Sequence, residues 1–374
     1  MLRTAEAGGS SVVRRKLFLV LFAGMMFILA TPAWAGGERQ AEWPLDTQHF
    51  RAEQAWTTTR GHGTTIAVLD SGCQADHPDL AGQVLAGTGF AGVAGDTGQS
   101  DHSQDSHGTS IAALIAGSGR NNAGTGVIGL APDARILPVR VTVDGETQPI
   151  SLAEGIIYAV DHGARIITIS ESTSVPDPNV RSAVEHALDR GDIVVAATGN
   201  SGHDGNPPSY PAYFPGVVAV TGVDSSNNFW PESQSGPQVT LAAPAADIVS
   251  ANNHGGYLRG DGTSYAAPYV AAAAALVWSK WPDLPAGRVI RQLIDTADRH
   301  GDATHDDHYG FGIVNPLKAL TSSPTTASGF PVVTTDTKTS QWPWTATAVA
   351  IVVVTAVAVG WLLRRRAVNG KGKS

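Results

Sequence analysis

The sequence predicts an α/β fold of three layers, in which a mostly parallel sheet is covered by helices on both faces. Short β-branched and apolar runs alternate along the chain with longer helical stretches. Parallel strands that are buried on both faces are expected to be continuously apolar, as these runs are. The predicted strands cover residues 64–70, 135–141, 164–170, 192–197 and 216–222. The predicted helices cover residues 107–117, 151–162, 179–190, 264–280 and 286–297, and one further helix near the C-terminus is predicted to span a membrane.

The chain begins with the features of a secretory signal peptide. An apolar stretch at residues 17–30 follows Arg14-Arg15-Lys16 and precedes Ala33-Trp34-Ala35. Small residues at both ends of that triplet are typical of a cleavage site, so residues 1–35 are predicted to be removed. An uncleaved anchor is the alternative, although the apolar stretch is short for a membrane-spanning helix.

Residues 36–62 are predicted to form an extension that wraps the main domain. Large apolar side chains are spaced through an otherwise polar segment, at Trp43, Leu45, Phe50 and Trp56. The segment is too short to form a core of its own. Burial of each side chain against the main domain would contribute about 1.5–3 kcal/mol, so we expect the mature protein to keep this segment.

Four short motifs carry the chemistry of the main domain, residues 63–320. In chain order, Asp70 ends the first predicted strand, His107 begins a helix, Asn200 follows a later strand, and Ser264 begins the alanine-rich helix. A serine hydroxyl is a weak nucleophile near neutral pH. Acyl transfer therefore needs a histidine base, a carboxylate that orients the base, and donors for the developing oxyanion. The four motifs supply all of these groups.

Each motif taken alone has an ordinary structural interpretation. Asp-Ser-Gly is a common turn, an isolated His-Gly-Thr has no special meaning, and Gly-Thr-Ser before alanines is often only a helix cap. Their joint occurrence in one chain, in this order, would require four coincidences. The catalytic interpretation is therefore favoured over the structural ones.

The motifs at residues 67–72, 106–109, 197–200 and 262–268 make the chain resemble the subtilisin-like serine proteases. The resemblance implies a subtilisin-like three-layer fold and hydrolysis of peptide bonds through an acyl-enzyme on Ser264. It also implies that His107 is the general base, that Asp70 orients it, and that Asn200 is an oxyanion donor beside the Ser264 N–H. We expect neither a cofactor nor a metal.

The same resemblance places a peptide substrate as an added strand between the segment Gly145-Glu146-Thr147-Gln148 and the segment Ile169-Ser170-Glu171. Ser201 and Ser209 are implied to lie near the base of the primary pocket, which favours small or neutral residues at the cleavage position. Many subtilisins carry Ser-Leu-Gly-Gly where this chain has Ser170-Glu171-Ser172-Thr173, so we expect a narrower and more selective cleft. The expected substrate-binding residues are Gly145, Glu146, Thr147, Ser170, Glu171, Ser201 and Ser209.

The C-terminal part predicts a membrane anchor. Thr345–Leu363 is uncharged over nineteen residues and is followed at once by Arg364-Arg365-Arg366. At about 1.5 Å per residue, the stretch would span about 28 Å, close to the thickness of the bilayer core. We therefore predict a stalk at 321–341, a transmembrane helix at 342–363 and a basic cytoplasmic tail at 364–374. Basic residues stay cytoplasmic, so the protein would be a single-pass plasma membrane protein with its main domain extracytoplasmic.

Charge and cysteine content limit the remaining possibilities. The formal net charge of −8 divides into +3 for residues 1–16, +5 for residues 364–374 and −16 for the part between them. The negative net charge of residues 17–363 argues against nucleic acid as a partner. Cys73 is the one cysteine, which excludes an intramolecular disulfide and indicates a packed thiol. Asn121-Asn122 is interpreted as an ordinary turn rather than a calcium site.

The short extension, the predicted span and the basic tail together resemble the mycosins, the membrane-anchored subtilases that are associated with type VII secretion. This resemblance implies protein or peptide substrates outside the membrane and membrane components of that secretion system as partners. The alternative is a structural subunit that caps or stabilises a membrane secretion complex, with proteolysis dispensable. The intact set of catalytic motifs favours the protease, and the anchor favours a fixed partner.

Overall fold

The computed structural model describes residues 38–90, 95–143, 145–301 and 304–327. The predicted signal peptide, the predicted membrane helix and the basic tail lie outside these residues, as does most of the predicted stalk. Within the described ranges, no helix has both the length and the apolar character that a membrane crossing needs.

Strands and helices alternate through the first two thirds of the domain. The strands are β1 (Thr65–Asp70), β2 (Thr88–Gly89), β3 (Arg135–Arg140), β4 (Thr142–Val143), β5 (Glu146–Thr147), β6 (Ile166–Ile169), β7 (Ile193–Ala197), β8 (Val218–Val223), β9 (Val239–Pro244), β10 (Ile248–Ala251) and β11 (Tyr257–Gly260). The α-helices are α1 (Ala52–Trp56), α2 (His107–Ala116), α3 (Asn121–Gly124), α4 (Pro149–Asp161), α5 (Pro178–Asp189), α6 (Thr263–Lys280), α7 (Ala286–Thr296) and α8 (Pro316–Thr321). Two 3-10 helices precede them, at Glu38–Ala41 and Trp43–Leu45.

The main sheet has the strand order β2-β3-β1-β6-β7-β8-β9, and every neighbouring pair in it is parallel. The predicted α/β class with a mostly parallel sheet is confirmed. The five predicted strands and five predicted helices all form, with ends within two residues of those expected. In this sheet the sequence analysis missed both edge strands, the two-residue β2 and β9. Strand β9 ends in Pro244, whose lack of a backbone N–H is tolerated at a sheet edge. Asn121-Asn122, interpreted as a turn, lies in the single-turn helix α3.

Helices cover both faces of the sheet, so the strands divide their side chains between two cores. In β1, Ile66 and Val68 pack into the core under α2 and α6, whereas Ala67 and Leu69 pack into the core under α4 and α5. Successive residues of a strand point to opposite faces, and here both faces are apolar. Cys73 is fully buried in the first core, as the packed-thiol interpretation predicts.

The sheet brings the functional motifs to one edge. Strands β1, β6 and β7 are neighbours and parallel, so their C-terminal ends lie side by side. Asp70 ends β1, Ser170-Glu171 follows β6, and Asn200 lies just beyond β7. The carboxyl edge of a parallel sheet is where α/β proteins usually place their ligands. The helices that begin at this edge, α2 and α6, bring His107 and Ser264.

The described part of the extension, residues 38–62, packs against the main domain. Phe50 is only 2% exposed, and its ring meets that of Tyr269 in α6 edge to face, with centroids 5.3 Å apart. Trp43 donates from its indole N–H to the carbonyl of Ala246 at 3.0 Å. The extension residues that pack against the first core while staying partly exposed include Trp43, Leu45 and Trp56.

The beginning of the predicted stalk also contacts the domain. Arg288 of α7 donates to the carbonyl of Thr325 from Nε at 2.9 Å and from a second guanidinium nitrogen at 2.6 Å. The backbone N–H of Thr325 in turn donates to Gln292 at 3.0 Å. Any soluble fragment should therefore retain the chain through Ala327, the last residue that the structure describes in this segment.

Candidate active site

The centre of the site is a hydrogen-bonded pair formed by Asp70 and His107. The ring Nδ1–H of His107 donates to both carboxylate oxygens, at 2.8 and 3.0 Å. Asp70 is fully buried, and one of its oxygens also accepts the backbone N–H of Ser71 at 2.8 Å. A carboxylate held in this way fixes the ring orientation and leaves Nε2 as the nitrogen that can take up a proton.

The N-terminus of α2 is built around Asp101, which the sequence analysis did not identify. One carboxylate oxygen of Asp101 accepts both the backbone N–H and the hydroxyl of Thr109, at 2.9 and 2.6 Å. The other oxygen accepts the hydroxyl of Ser71 at 2.9 Å and that of Ser103 at 2.7 Å. Asp101 therefore ties the residue after Asp70 to the helix that carries His107.

Gly108 lets this helix approach β1 closely. A Cβ at Gly108 would lie 2.0 Å from the carbonyl oxygen of Gly72 and 3.1 Å from a carboxylate oxygen of Asp70. Contacts of 2.0 Å are not possible for a real Cβ, so a larger residue would push α2 away from the strand. The glycine in the His-Gly-Thr motif thus has a packing reason that is specific to the Asp70–His107 pair.

The side chains of Ser264 and Asn200 both lie next to Gly262. A Cβ built on Gly262 would lie 3.0 Å from the Ser264 hydroxyl oxygen and 3.2 Å from the Asn200 amide nitrogen. The Asn200 amide oxygen accepts the backbone N–H and the hydroxyl of Thr263, at 2.9 and 2.8 Å. These two bonds fix which end of the amide faces Thr263, so the Nδ2 donors face the space beside Ser264.

Two further contacts place Ser264 relative to the rest of the site. Ser170, after β6, donates from its hydroxyl to the carbonyl of Ser264 at 2.9 Å. The next residue, Tyr265, stands edge-on to the His107 ring, with centroids 6.5 Å apart. Within the described residues, the side-chain hydrogen bonds of the His107 ring go to Asp70, and none joins it to Ser264.

Glu171 lies against the Asp70–His107 pair. One of its carboxylate oxygens is 3.5 Å from Nδ1 of His107, and the other accepts the hydroxyl of Thr147 at 3.1 Å. The sequence analysis expected Glu171 and Thr147 on opposite sides of a bound peptide, and the structure joins them directly. No local pattern in the sequence indicates the contact between Glu171 and His107.

The charges at the site shift two titrations. Burial alone would lower the pKa of His107, but attraction and hydrogen bonding to Asp70, with smaller contributions from Glu171 and Asp105, raise it to about 10. Burial raises the pKa of Glu171 to about 7, and the charge of Asp70 adds to this shift, whereas His107 and Thr147 oppose it. The two groups therefore favour each other's charged form.

The same three side chains are the group of described residues that could ligate a metal ion. One ligand atom from each of Asp70, His107 and Glu171 lies within 4.8 Å of the others. Two carboxylates and one imidazole would suit a divalent transition metal. An ion bound through Nδ1 of His107 would replace the proton on that nitrogen, so this binding mode and the Asp70–His107 hydrogen bond exclude each other.

Ser201 and Ser209, the residues expected near the base of the primary pocket, both lie close to Gln234, which the sequence analysis missed. Ser209 is buried, and a Cβ on Gly199 would lie 3.2 Å from its hydroxyl oxygen and 1.9 Å from the amide oxygen of Gln234. The backbone N–H of Ser201 points to that same amide oxygen at 3.4 Å. Gln234 thus lies between the two serines. Gly145 and Glu146 lie in the β4–β5 hairpin, and Thr147 is the residue of that hairpin that contacts Glu171.

Comparisons with known proteins identify the family of this domain. Residues 61–312 match the model of the subtilase family. Thermitase from Thermoactinomyces vulgaris is 37% identical over 275 residues, which cover 73% of this chain and 94% of that protein. Mycosin-1 from Mycolicibacterium smegmatis is 30% identical over 350 residues, which cover 79% of this chain and 76% of that protein.

A solved structure has the same fold. The MycP3 protease from the type VII (ESX-3) secretion system superposes with a TM-score of 0.65 at 32% identity. The superposition covers 79% of this chain and 91% of that structure. The family match at residues 61–312 includes every side chain of the site described in this subsection.

Proposed function

The chain belongs to the subtilase family of serine endopeptidases, and from this membership we propose that it cleaves extracytoplasmic proteins while anchored in the plasma membrane. Ser264 would be the nucleophile, His107 the general base, and Asp70 the residue that orients it. The observation that carries these roles is the bidentate Asp70–His107 hydrogen bond at the start of α2. Ser264, at the start of α6, and the amide of Asn200 lie next to each other at Gly262.

In the proposed mechanism, Nε2 of His107 removes the hydroxyl proton of Ser264 as the oxygen attacks the scissile carbonyl. The oxyanion that forms accepts hydrogen bonds from the Asn200 amide and the Ser264 N–H, at the positive end of the α6 dipole. His107 then gives its proton to the leaving amine, and an acyl-enzyme remains on Ser264. Water, activated by the same base, releases the product acid and restores the serine.

The proposed substrate is an extended peptide that lies between the β4–β5 hairpin and the segment after β6. The polar, weakly charged surroundings of Ser201 and Ser209 support small or neutral residues at the cleavage position. Glu171 occupies part of this cleft, which supports a selective protease rather than a general digestive one.

The proposed membrane anchor and secretion context rest on the sequence and on the relatives. The uncharged Thr345–Leu363 stretch and the basic residues after it support a single C-terminal span. The similarity to mycosin-1 and to MycP3, which is described as a protease of a type VII system, supports association with such a system. We propose the domain boundaries of the sequence analysis, with residues up to 325 held on the catalytic domain.

A fluorophosphonate probe tests the catalytic part of this proposal, since it reacts only with an activated serine. The full-length protein, purified in detergent, should be labelled, and Ser264→Ala should not. An exposed serine provides the control, because Ser182→Ala on α5 should leave labelling unchanged. Absence of labelling in the folded wild-type protein would refute the catalytic assignment and favour the alternative of a structural subunit.

Fractionation of cells tests the anchor separately. The full chain should sediment with membranes, and a chain that ends at Ala327 should be released into the medium with its labelling intact. Free secretion of the full chain would refute the predicted span without touching the assignment of Ser264.

A further inference from the structure

Glu171 places a second carboxylate on the nitrogen of His107 that already bonds to Asp70. Its distance of 3.5 Å from Nδ1 is too long for a strong hydrogen bond but short for two opposite charges. The side chains of His107 and Glu171 are 18% and 21% exposed, so water screens their attraction only in part. A charge at this position acts on the protonation of the whole ring, Nε2 included.

Thr147 holds Glu171 in this position. Its hydroxyl donates to the carboxylate oxygen that is not turned toward His107. A carboxylate that accepts a hydrogen bond is favoured in its ionised form. Thr147 therefore opposes the effect of burial on the pKa of Glu171 and fixes the carboxylate in place next to the imidazole.

The groups that face His107 from its surroundings are predominantly acidic. Asp70 reaches it from β1, Glu171 from the segment after β6, and Asp105 from the loop before α2. Tyr265 of α6 also faces the ring, but burial raises the pKa of its hydroxyl, so it stays neutral. Glu171 itself faces Asp70, His107 and Asp105. No cation other than His107 is among these neighbours in the described residues.

We propose that Glu171 is a positioning residue that restrains the protease: in weakly alkaline solution its carboxylate favours the charged form of the His107 imidazole and thereby keeps the ring from acting as a base. This inference rests on the proposed function, since it assumes that His107 must be neutral to accept the Ser264 proton. Asp70 alone orients the base. The additional charge stabilises the imidazolium before any substrate is present, when that stabilisation slows the reaction rather than assisting it.

The sign of the pH effect follows from the directions of the shifts. His107 is active as a base only above its own pKa, which the neighbouring carboxylates raise to about 10. Glu171, whose pKa is about 7, is already ionised there. Removal of its charge lowers the pKa of His107, so the rise of activity with pH moves toward neutral values.

The test compares full-length wild-type protein with Glu171→Gln and measures the rate of fluorophosphonate labelling against pH. The rising limb of the pH profile should lie about one pH unit lower in the variant, which means labelling about ten times faster between about pH 7, where Glu171 ionises, and the limb of the variant. Thr147→Val removes the hydroxyl that holds Glu171 and should move the limb in the same direction by less. Glu154→Gln makes the same charge change on the exposed face of α4 and should leave the limb in place.

A second measurement needs no catalysis. In the Ser264→Ala protein with ¹³C-labelled histidine, the His107 resonance, assigned by its loss in His107→Gln, is titrated by NMR with and without Glu171→Gln. A lower midpoint in the Glu171→Gln protein supports the inference even if the protein cleaves nothing. An unchanged midpoint, or a slower variant whose rising limb stays in place, overturns it. If Glu171→Gln does not fold, Thr147→Val decides by the same criteria.

Discussion

The active-site cleft and the N-terminal extension each bury one glutamate, and the two glutamates do different things. Burial raises the pKa of both Glu171 and Glu42. Glu171 lies beside a titratable base, whereas both oxygens of Glu42 point to the backbone N–H of Ile128, at 3.1 and 3.3 Å. A carboxylate beside a base alters the chemistry of that base. A carboxylate beside a neutral amide can only alter the stability of the fold.

The comparison divides the molecule into a region that sets activity and a region that sets stability. Changes in the cleft should alter reaction rates and leave the unfolding temperature in place. Changes in the extension should lower or raise the unfolding temperature and leave the reaction rates of the folded protein in place. Four substitutions test this division, in order of decreasing expected effect.

Ser264→Ala should reduce kcat for peptide hydrolysis about 10⁶-fold, because it removes the nucleophile. The change deletes one oxygen atom from a side chain that is 7% exposed, so the melting temperature should stay close to that of the wild type. Steady-state kinetics and thermal unfolding on the same preparation measure both. Residual hydrolysis close to the wild-type rate would mean that another residue is the nucleophile.

Phe50→Ala should destabilise the fold by about 3–5 kcal/mol, the usual cost of truncating a buried phenylalanine. The side chain joins the extension to Tyr269 of α6, so its loss also removes the edge-to-face contact. Urea denaturation measures the loss, and activity per folded molecule should persist. Gln48→Ala, at an exposed position of the same segment, is the control. An unaltered midpoint for Phe50→Ala would mean that the extension is a disposable propeptide.

Asn200→Ala should lower kcat by about 10²–10³, the typical effect of removing one oxyanion donor. Because Asn200 also accepts two bonds from Thr263, the alanine variant could act through that turn. Asn200→Asp keeps an acceptor for Thr263 while it replaces the donor, and its negative charge opposes the oxyanion. It should therefore be at least as slow as Asn200→Ala. If kcat of Asn200→Asp equals the wild-type value, Asn200 has no part in the mechanism.

Glu42→Gln should have the smallest effect, a gain of a few degrees in melting temperature at alkaline pH. A glutamate whose pKa is raised in the folded state costs stability as pH rises above its unfolded value, because the unfolded chain then releases the proton more readily. Glutamine carries no such proton and can still accept from Ile128. The difference between variant and wild type should grow from pH 5 to pH 9. A constant difference over that range would contradict the assignment of a raised pKa to Glu42.

The proposed catalytic residues were accessible to sequence analysis because each one stands at or near the end of a regular element. Asp70 closes an apolar strand, and Ser264 opens an alanine-rich helix. Such boundaries are visible in local composition, since apolar runs and turn residues mark where strands and helices end. The identities at those boundaries then carried the chemistry. Their assigned roles remain predictions until the substitutions above are measured.

Asp101 and Gln234 could not be found in the same way. Asp101 lies in a polar loop and acts through hydrogen bonds to residues on two separate segments, β1 and α2. Gln234 reaches the backbone N–H of Ser201 from the loop between β8 and β9. Neither has a local pattern that distinguishes it from an exposed polar residue. Only the closure of long loops onto the sheet gives these side chains a common site.

The sequence by itself determined the layered α/β class and the order of the catalytic motifs, because burial on both faces and element boundaries are recorded in local runs of residues. It did not determine the electrostatics of the site. The distance between Glu171 and His107 depends on β6 lying beside β1 and on the β4–β5 hairpin reaching Glu171 through Thr147. Charges act through space rather than along the chain, so their effect on a base was decided only when the sheet brought these segments together.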